Sequence, residues 1–400
     1  MHRFLLTCLL FLSLPAFAQN VLRGVVLDSA TKQPLAGASV FLSSTSVGTT
    51  ANGSGEFQLS VPAGKFDLVV SAIDHVTFTR SITSSDLPDR LTVRLMSKAK
   101  EMETVVVQPY EKDGWKKWGD FFLENFIGRS EQGERCVLRN KETLRFRLDR
   151  KANTLTVVAR EALLIDNKAL GYRIRFQLEE FVFDFTTRAI AFYGFPLYEE
   201  MDAGAARERK WAKARREVYY GSLMHFMRAV YRNQLIEEGY TLYRVRKIPD
   251  LRRVARSQKV EGGGRMFQLD NGTQVRSNEP DDTLNAYQPL LAREPVLTLV
   301  DGHRLSGDSL AYAGDSATAI LDFPNYISVT YAGGKTPESY QRTVRNGNMA
   351  MQSELTLQAG RPVLVDANGA FYNPLDLFAN GWWGWSEKLG RLLPFDYEPE

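Results

Sequence analysis

The sequence predicts a mainly β protein. A seven-stranded β-sandwich is expected over residues 19–97, and a larger β-rich α+β domain with one long helical segment over 129–400. Three observations support this. Short apolar–polar alternations crowd residues 21–96, the period of half-buried antiparallel strands. Gly, Pro and Asn cluster between them, where turns need unusual backbone angles. Beyond residue 113 the alternation returns, now interrupted by stretches with helical spacing. Four hundred residues suit two or three units. With 44% hydrophobic and 24% charged residues the composition is globular. That excludes a disordered chain, a collagen and a coiled-coil rod.

Residues 1–18 read as an export signal. His2 and Arg3 precede an apolar run, Phe4 to Leu14, broken by Pro15. Ala16-Phe17-Ala18 has the small-x-small form that signal peptidase cuts, here before Gln19. No other stretch approaches the roughly eighteen apolar residues of a membrane span. The processed chain is therefore expected not to span a membrane, and to reside in the periplasm or at the surface of a Gram-negative cell. Processing removes Cys8 and leaves Cys136 alone, so no internal disulfide is expected.

Within the sandwich, Phe57, Leu59 and Val61 alternate with polar residues. Phe66, Leu68 and Val70 do the same, as do Leu91, Val93 and Leu95. Asn52-Gly53-Ser54-Gly55 and Pro62-Ala63-Gly64 supply turns. The string Gly24-Val25-Val26-x-Asp28-x-x-Thr31-x-x-Pro34-Leu35-x-Gly37-Ala38-x-Val40 resembles the opening of the carboxypeptidase regulatory-like domain. Gly48-Thr49-Thr50, Gly55-x-Phe57-x-Leu59 and Val61-Pro62-x-Gly64 continue the resemblance. It implies a transthyretin-like (prealbumin-like) sandwich and brings no catalytic group. Asp74-His75 departs from the Gly-Tyr usual in that family. His75 has no further metal ligands at suitable spacing. It reads as a rim histidine and a candidate for a ligand or partner surface.

Residues 98–128 read as a charged linker followed by an amphipathic helix. Glu103-Thr104-Val105-Val106-Val107 resembles the segment after this domain in outer-membrane nutrient receptors of Bacteroidetes-type bacteria. Their 22-stranded barrel is excluded here: it needs roughly 220 residues in strands alone, before loops and plug, and the roughly 300 that remain contain polar helical stretches. Trp115, Trp118, Phe122 and Phe126 share one helical face, and Gly128 is a plausible C-cap. Strands are expected around 144–148, 155–159, 172–178 and 181–185, then a long helix or helix pair over 206–238, divided at Gly221-Ser222. Residues 207–256 hold 14 Lys/Arg against 5 Asp/Glu, a candidate peripheral contact with an anionic surface or a solvated face. A flexible polar loop is expected near 257–292, with strands resuming at 295–300, 317–323 and 326–331. Leu170-Gly171-Tyr172, Gly221-Ser222-Leu223-x-His225-Phe226-x-Arg228 and the ending Leu392-Leu393-Pro394-Phe395-Asp396-Tyr397 resemble a Bacteroidetes group that joins one regulatory-like domain to a region of no assigned activity.

The motifs that could carry chemistry are incomplete. Gly307-Asp308-Ser309-Leu310 spells a GDSL nucleophile block, but no histidine follows Ser309 to act as its base. None of His75, His225 and His303 begins a zinc-peptidase His-x-x-Glu pair. There is no phosphate-binding glycine loop and no nucleotide fingerprint. No catalytic residue, metal or cofactor is therefore assigned. Trp382, Trp383 and Trp385 form a glycine-flanked cluster that reads as a core plug or a sugar-stacking platform. A net charge of +3 and the export signal argue against nucleic acid. The expected function is an exported, non-catalytic envelope binding or scaffold protein whose partner is an envelope protein or a glycan. Two alternatives stand beside it. One is a hydrolase of an ester or glycan with Ser309 or Cys136 as nucleophile. The other is a carbohydrate-binding module using the tryptophans.

Overall fold

The structure, a computed structural model, describes residues 20–98, 109–249, 265–268, 274–277, 296–315, 318–344, 349–358, 361–371 and 376–399. The expected export signal at 1–18, the Glu103–Val107 run and most of the polar stretch near 257–292 lie outside the described residues.

The sandwich comprises β1 (Asn20–Asp28), β2 (Ser39–Leu42), β3 (Gly48–Thr50), β4 (Glu56–Val61), β5 (Lys65–Ser71), β6 (Phe78–Thr83) and β7 (Leu91–Leu95). One sheet has the order β4-β1-β7, with β1 and β7 parallel; the other runs β3-β2-β5-β6. The alternating apolar residues meet between the sheets, where Leu22, Val26, Val40, Leu68, Val70 and Val93 are buried. Phe41 and Val69 break this pattern. They belong to the outer face of the second sheet and are still buried, because a second unit covers them.

That second unit has α1 (Gly114–Phe126), α2 (Glu131–Glu134), β8 (Cys136–Leu138), β9 (Leu144–Asp149), β10 (Thr154–Ala159), β11 (Leu163–Asn167), β12 (Tyr172–Asp184) and β13 (Ala189–Glu200). The strands form one antiparallel sheet, β8-β11-β12-β10-β9, with β13 paired along β12 and a register shift between Leu178 and Glu180. α1 covers its inner face. Phe122 meets Phe181 at 5.0 Å between ring centroids, and Phe126 meets Phe176 at 5.0 Å, both edge to face. The helix expected beside the linker is thus part of this core. On β12, Tyr172, Ile174, Phe176 and Leu178 enter the core, so Arg173, Arg175 and Gln177 fall on the outer face.

α3 (Ala205–Tyr219) and α4 (Leu223–Tyr231) follow. The helical segment is a pair because Gly221 adopts a φ of 76°, and a Cβ there would lie 2.7 Å from the Tyr331 ring. The Ser222 side chain then caps α4 by accepting from the His225 N–H. The remaining elements are β14 (Tyr240–Pro249), β15 (Arg265–Gln268), β16 (Gln274–Ser277), β17 (Val296–Arg304), β18 (Ala311–Ala313), β19 (Thr318–Leu321), β20 (Tyr326–Lys335), α5 (Glu338–Gln341), β21 (Ala350–Leu357), β22 (Val363–Asp366), β23 (Leu377–Gly381) and α6 (Trp382–Ser386). They build the sheets β17-β14-β20-β21-β23 and β18-β19-β22 around a third core entered by Phe226, Met227 and Val230 of α4. β15 and β16 pair as a hairpin inside the stretch expected to be a loop. Two strands of four residues with few apolar positions give little alternation to read.

The sandwich docks on the outer face of the second unit. Phe41 and Val69 pack with Phe195 and Leu197 of β13. Backbone bonds frame this patch: Ser44 N–H donates to the Pro196 carbonyl at 2.7 Å, and Tyr198 N–H to the Thr45 carbonyl at 2.9 Å. The Thr77 hydroxyl donates to Glu179 at 2.6 Å. A C-terminal segment closes the joint from the other side. Phe395 N–H donates to the Ser44 carbonyl, and the Asp396 carboxylate accepts the Ser46 N–H at 3.0 Å.

Candidate functional site

The residues singled out in the sequence do not converge. Trp382 and Trp383 are 1% and 2% exposed, and both indole N–H groups donate to the Gly221 carbonyl, at 3.3 and 2.9 Å. Trp385 stacks on Trp382 with ring centroids 5.5 Å apart. Of the two roles open to these tryptophans, core plug and surface platform, Trp382 and Trp383 take the core role, because their rings are enclosed and offer a sugar no face. His75 lies on the sandwich rim, far in sequence from the tryptophans. Its Nε2 is 3.1 Å from the Asp28 carboxylate and its Nδ1 2.8 Å from the Ile73 carbonyl, so both ring nitrogens are engaged. The Asp28 carboxyl is held below its ordinary range, first by the Thr31 N–H and then by His75. Among the described residues no group of three or more His, Cys, Asp and Glu could hold a metal.

The two candidate nucleophiles lack activation. Ser309 ends an exposed turn, 3.1 Å from the Ser306 hydroxyl, and no histidine among the described residues bonds to it. His303 is 96% exposed and pairs with Asp301 instead. The Cys136 thiol donates to the Gln132 carbonyl, and burial pushes its pKa up to about 12, which keeps it protonated. His225 is enclosed: Nδ1 accepts from the Gly221 N–H and faces the Tyr240 hydroxyl at 2.8 Å, while Nε2 faces Glu238 at 3.0 Å. Burial lowers its pKa and favours the neutral ring. The basic run is divided in use. Arg215 is built into the second unit, donating to the Leu170 carbonyl and to Glu200. Arg209, Lys213 and Arg216 line a cavity of about 570 Å³ with Asp396 and Glu398.

A different constellation lies where the sandwich docks. Phe195 and Leu197 anchor the sandwich to one side of the second unit's outer face. The rest of that face stays open as a cleft of about 550 Å³, walled on the other side by β2 and the end of β5. Its lining has five cations, Lys98, Arg139, Arg160, Arg173 and Arg175, and two carboxylates, Glu161 and Asp166. Register explains the grouping. Asp166 on β11 is directly opposite Arg173 on β12, and Leu164 is opposite Arg175. Asp166 is 5% exposed and accepts from two guanidinium groups, Arg139 Nη1 at 3.1 Å and Arg173 Nε at 3.0 Å. Arg175 pairs with Glu199 at 2.9 Å. The Arg160 guanidinium has no partner among the described residues. Gln177, 6% exposed, also lines the cleft, and its amide has no hydrogen-bond partner among the described residues. Such a lining concentrates positive potential between two low-dielectric walls.

The sequence carried part of this signal. Arg173-x-Arg175-x-Gln177 alternates with the apolar residues that define β12, and Asp166 interrupts an apolar strand. Neither pattern shows that another unit will stand opposite.

Residues 22–107 match the model of the CarboxypepD_reg-like domain. The sandwich is therefore a CarboxypepD_reg-like domain, as the sequence resemblance implied. No curated protein matches the sequence. Among solved structures, a DUF3823 family protein from Bacteroides ovatus ATCC 8483 is similar at 11% identity, over 46% of this chain and 83% of that one, with a TM-score of 0.16. A protein of unknown function from Bacteroides fragilis NCTC 9343, with a proposed membrane association, is similar at 12% identity over 86% of this chain and 92% of that one, also with a TM-score of 0.16. At such TM-scores neither likeness carries an argument about function. Among the described residues no helix is long and apolar enough to cross a membrane.

Proposed function

We propose that this chain is an exported, non-catalytic binding protein of the cell envelope. Its CarboxypepD_reg-like sandwich and the unit it docks on together form a cleft for an anionic ligand. The observation that carries the reading is the Asp166-ordered pair Arg139 and Arg173, set beside Arg160 and Arg175 in that cleft. A buried carboxylate that fixes two guanidinium groups supports recognition, because ordered donors lose less freedom when a ligand arrives. The protonated Cys136 thiol and the Ser309 hydroxyl, which faces Ser306 and no base among the described residues, support binding over hydrolysis. Export rests on the signal-like segment at 1–18.

The test is a thermal-shift panel of phosphorylated, sulfated and carboxylated small molecules. A ligand of the cleft raises Tm by mass action, and the rise shrinks in the Arg160→Gln/Arg175→Gln double variant. The reading fails when no anion raises the Tm of the wild-type protein, or when every rise persists in the variant.

A further inference from the structure

Resting on that anion-binding reading, we propose that the ligand of the cleft is a phosphate monoester of a sugar-sized, hydroxylated molecule. Three features converge on this chemistry. The first is charge. With Glu199 counted beside its partner Arg175, five cations meet three carboxylates, Glu161, Asp166 and Glu199, an excess of two positive charges. A phosphate monoester carries about −1.5 to −2 at pH 7. A uronic acid or a sulfate ester carries only a single charge.

The second feature is donor count. Asp166 takes one nitrogen from Arg139 and one from Arg173, and both side chains remain more than half exposed. Each guanidinium keeps two further nitrogens for a ligand. One fork satisfies the two oxygens of a carboxylate, but the three oxygens of a phosphate can engage both forks. Asp166 already occupies the inner donors, so an incoming group meets the outer ones.

The third feature is what surrounds the charge. A phosphate fills a small part of a cleft of about 550 Å³. Beside the arginines lie the Gln177 amide, without a partner among the described residues, and the Ser39 and Ser71 hydroxyls of the sandwich wall. The amide opens onto the cleft and is not sealed away from solvent, so a ligand there can take the place of water on it. It needs a partner that both donates and accepts, and a sugar hydroxyl does both. Ligand contacts would then come from both units.

The experiment is titration calorimetry of the full protein at low ionic strength. The probes are glucose 6-phosphate, inorganic phosphate, glucuronate and glucose, with co-sedimentation on vesicles containing phosphatidic acid as a separate arm. Glucose 6-phosphate is expected to bind most tightly. Its affinity should fall about tenfold or more in Arg160→Gln, which breaks no ion pair among the described residues and so should keep the wild-type Tm. Arg173→Gln should show the same loss. Binding should also weaken as pH drops through about 6, where the phosphate takes up its second proton. Glucuronate binding as tightly as glucose 6-phosphate would overturn the phosphate assignment and leave the anion-binding reading intact. Binding to phosphatidic acid vesicles without binding of glucose 6-phosphate would overturn the sugar-sized ligand in favour of a lipid headgroup. Glucose 6-phosphate affinity unchanged in both variants would move its site elsewhere and overturn the proposal. No response to any anion would remove both readings.

Discussion

The Arg228 guanidinium donates to the Tyr397 carbonyl at 2.9 Å, joining the middle of α4 to a segment 169 residues further on. The same group donates to the Phe395 carbonyl at 3.1 Å and to the Asn368 carbonyl at 2.9 Å, and it is almost wholly buried. One cation thus holds the stretch that also touches the sandwich through Ser44 and Ser46.

Arg228→Met should therefore destabilise strongly. It keeps much of the volume but leaves three half-buried carbonyls without this donor, each costing up to roughly 1–3 kcal/mol. A total of about 3 kcal/mol is expected in urea denaturation, together with faster carboxypeptidase trimming near residue 397. A loss below about 0.5 kcal/mol, within the range of ordinary surface substitutions, would show that the contacts are incidental.

Leu197→Ala tests the docking patch. Leu197 is buried against Phe41 and Val69. A buried Leu→Ala change costs about 2–5 kcal/mol, with the lower part expected at an interface that can shift. Hydrogen exchange at the Tyr198 amide, bonded to the Thr45 carbonyl, should accelerate. Leu91→Ala, inside the sandwich core, should not accelerate it selectively. Equal protection in wild type and Leu197→Ala would mean that the patch does not hold the two units together.

Asp67 on β5 gives the pH dependence a sign. Burial raises its pKa above 3.8, against the opposing pull of the Ser81 hydrogen bond and the Lys65 charge. The folded chain therefore keeps this proton to higher pH than the unfolded chain does. Stability is lost as pH rises from the unfolded pKa through the raised one, and the penalty is complete above it. Asp67→Asn should raise Tm at pH 7, and the gain should shrink toward pH 4. Calorimetry at the two pH values checks it, and a lower Tm for the variant at pH 7 would contradict the argument.

Cys136 should be sluggish toward alkylation. With its pKa raised from 9.0 to about 12, the native thiolate fraction at pH 8 falls roughly a thousandfold relative to an unperturbed thiol. Iodoacetamide labelling of native and urea-unfolded protein at pH 8 measures this directly. Comparable rates in the two states would revive the thiol as a nucleophile.

The fold was legible where one strand or helix determines its own burial. Tyr172, Ile174, Phe176 and Leu178 declare an inward face, and Trp115 through Phe126 a helical one. The candidate site was less legible because it depends on two surfaces meeting. Arg173 and Arg175 read as outward residues, but nothing in their spacing says that Phe41 and Val69, more than a hundred residues earlier, cover the neighbouring half of the face. The tryptophans were ambiguous for a similar reason. Spacing cannot separate a stacking platform from a plug, and the deciding partner, the Gly221 carbonyl, lies 161 residues from Trp382. Gln177 was invisible as a ligand candidate because a lone amide acquires meaning only when the cleft it lines is known.

The Asp396 clasp on Ser46 also bears on the order of assembly. It closes a loop of 350 residues, and so distant a contact forms late, after local pairing has paid little toward its closure entropy. As an exported chain emerges N-terminus first from the membrane, the sandwich can fold before the third core is complete, yet its joint to the second unit stays unclasped until residue 396 emerges. The cleft, whose walls come from both sides of that joint, should therefore reach its final width only after both walls have folded. In refolding followed by pulsed hydrogen exchange, protection inside β5 should precede protection of the Ser46 amide; simultaneous protection would place the clasp in the folding nucleus instead.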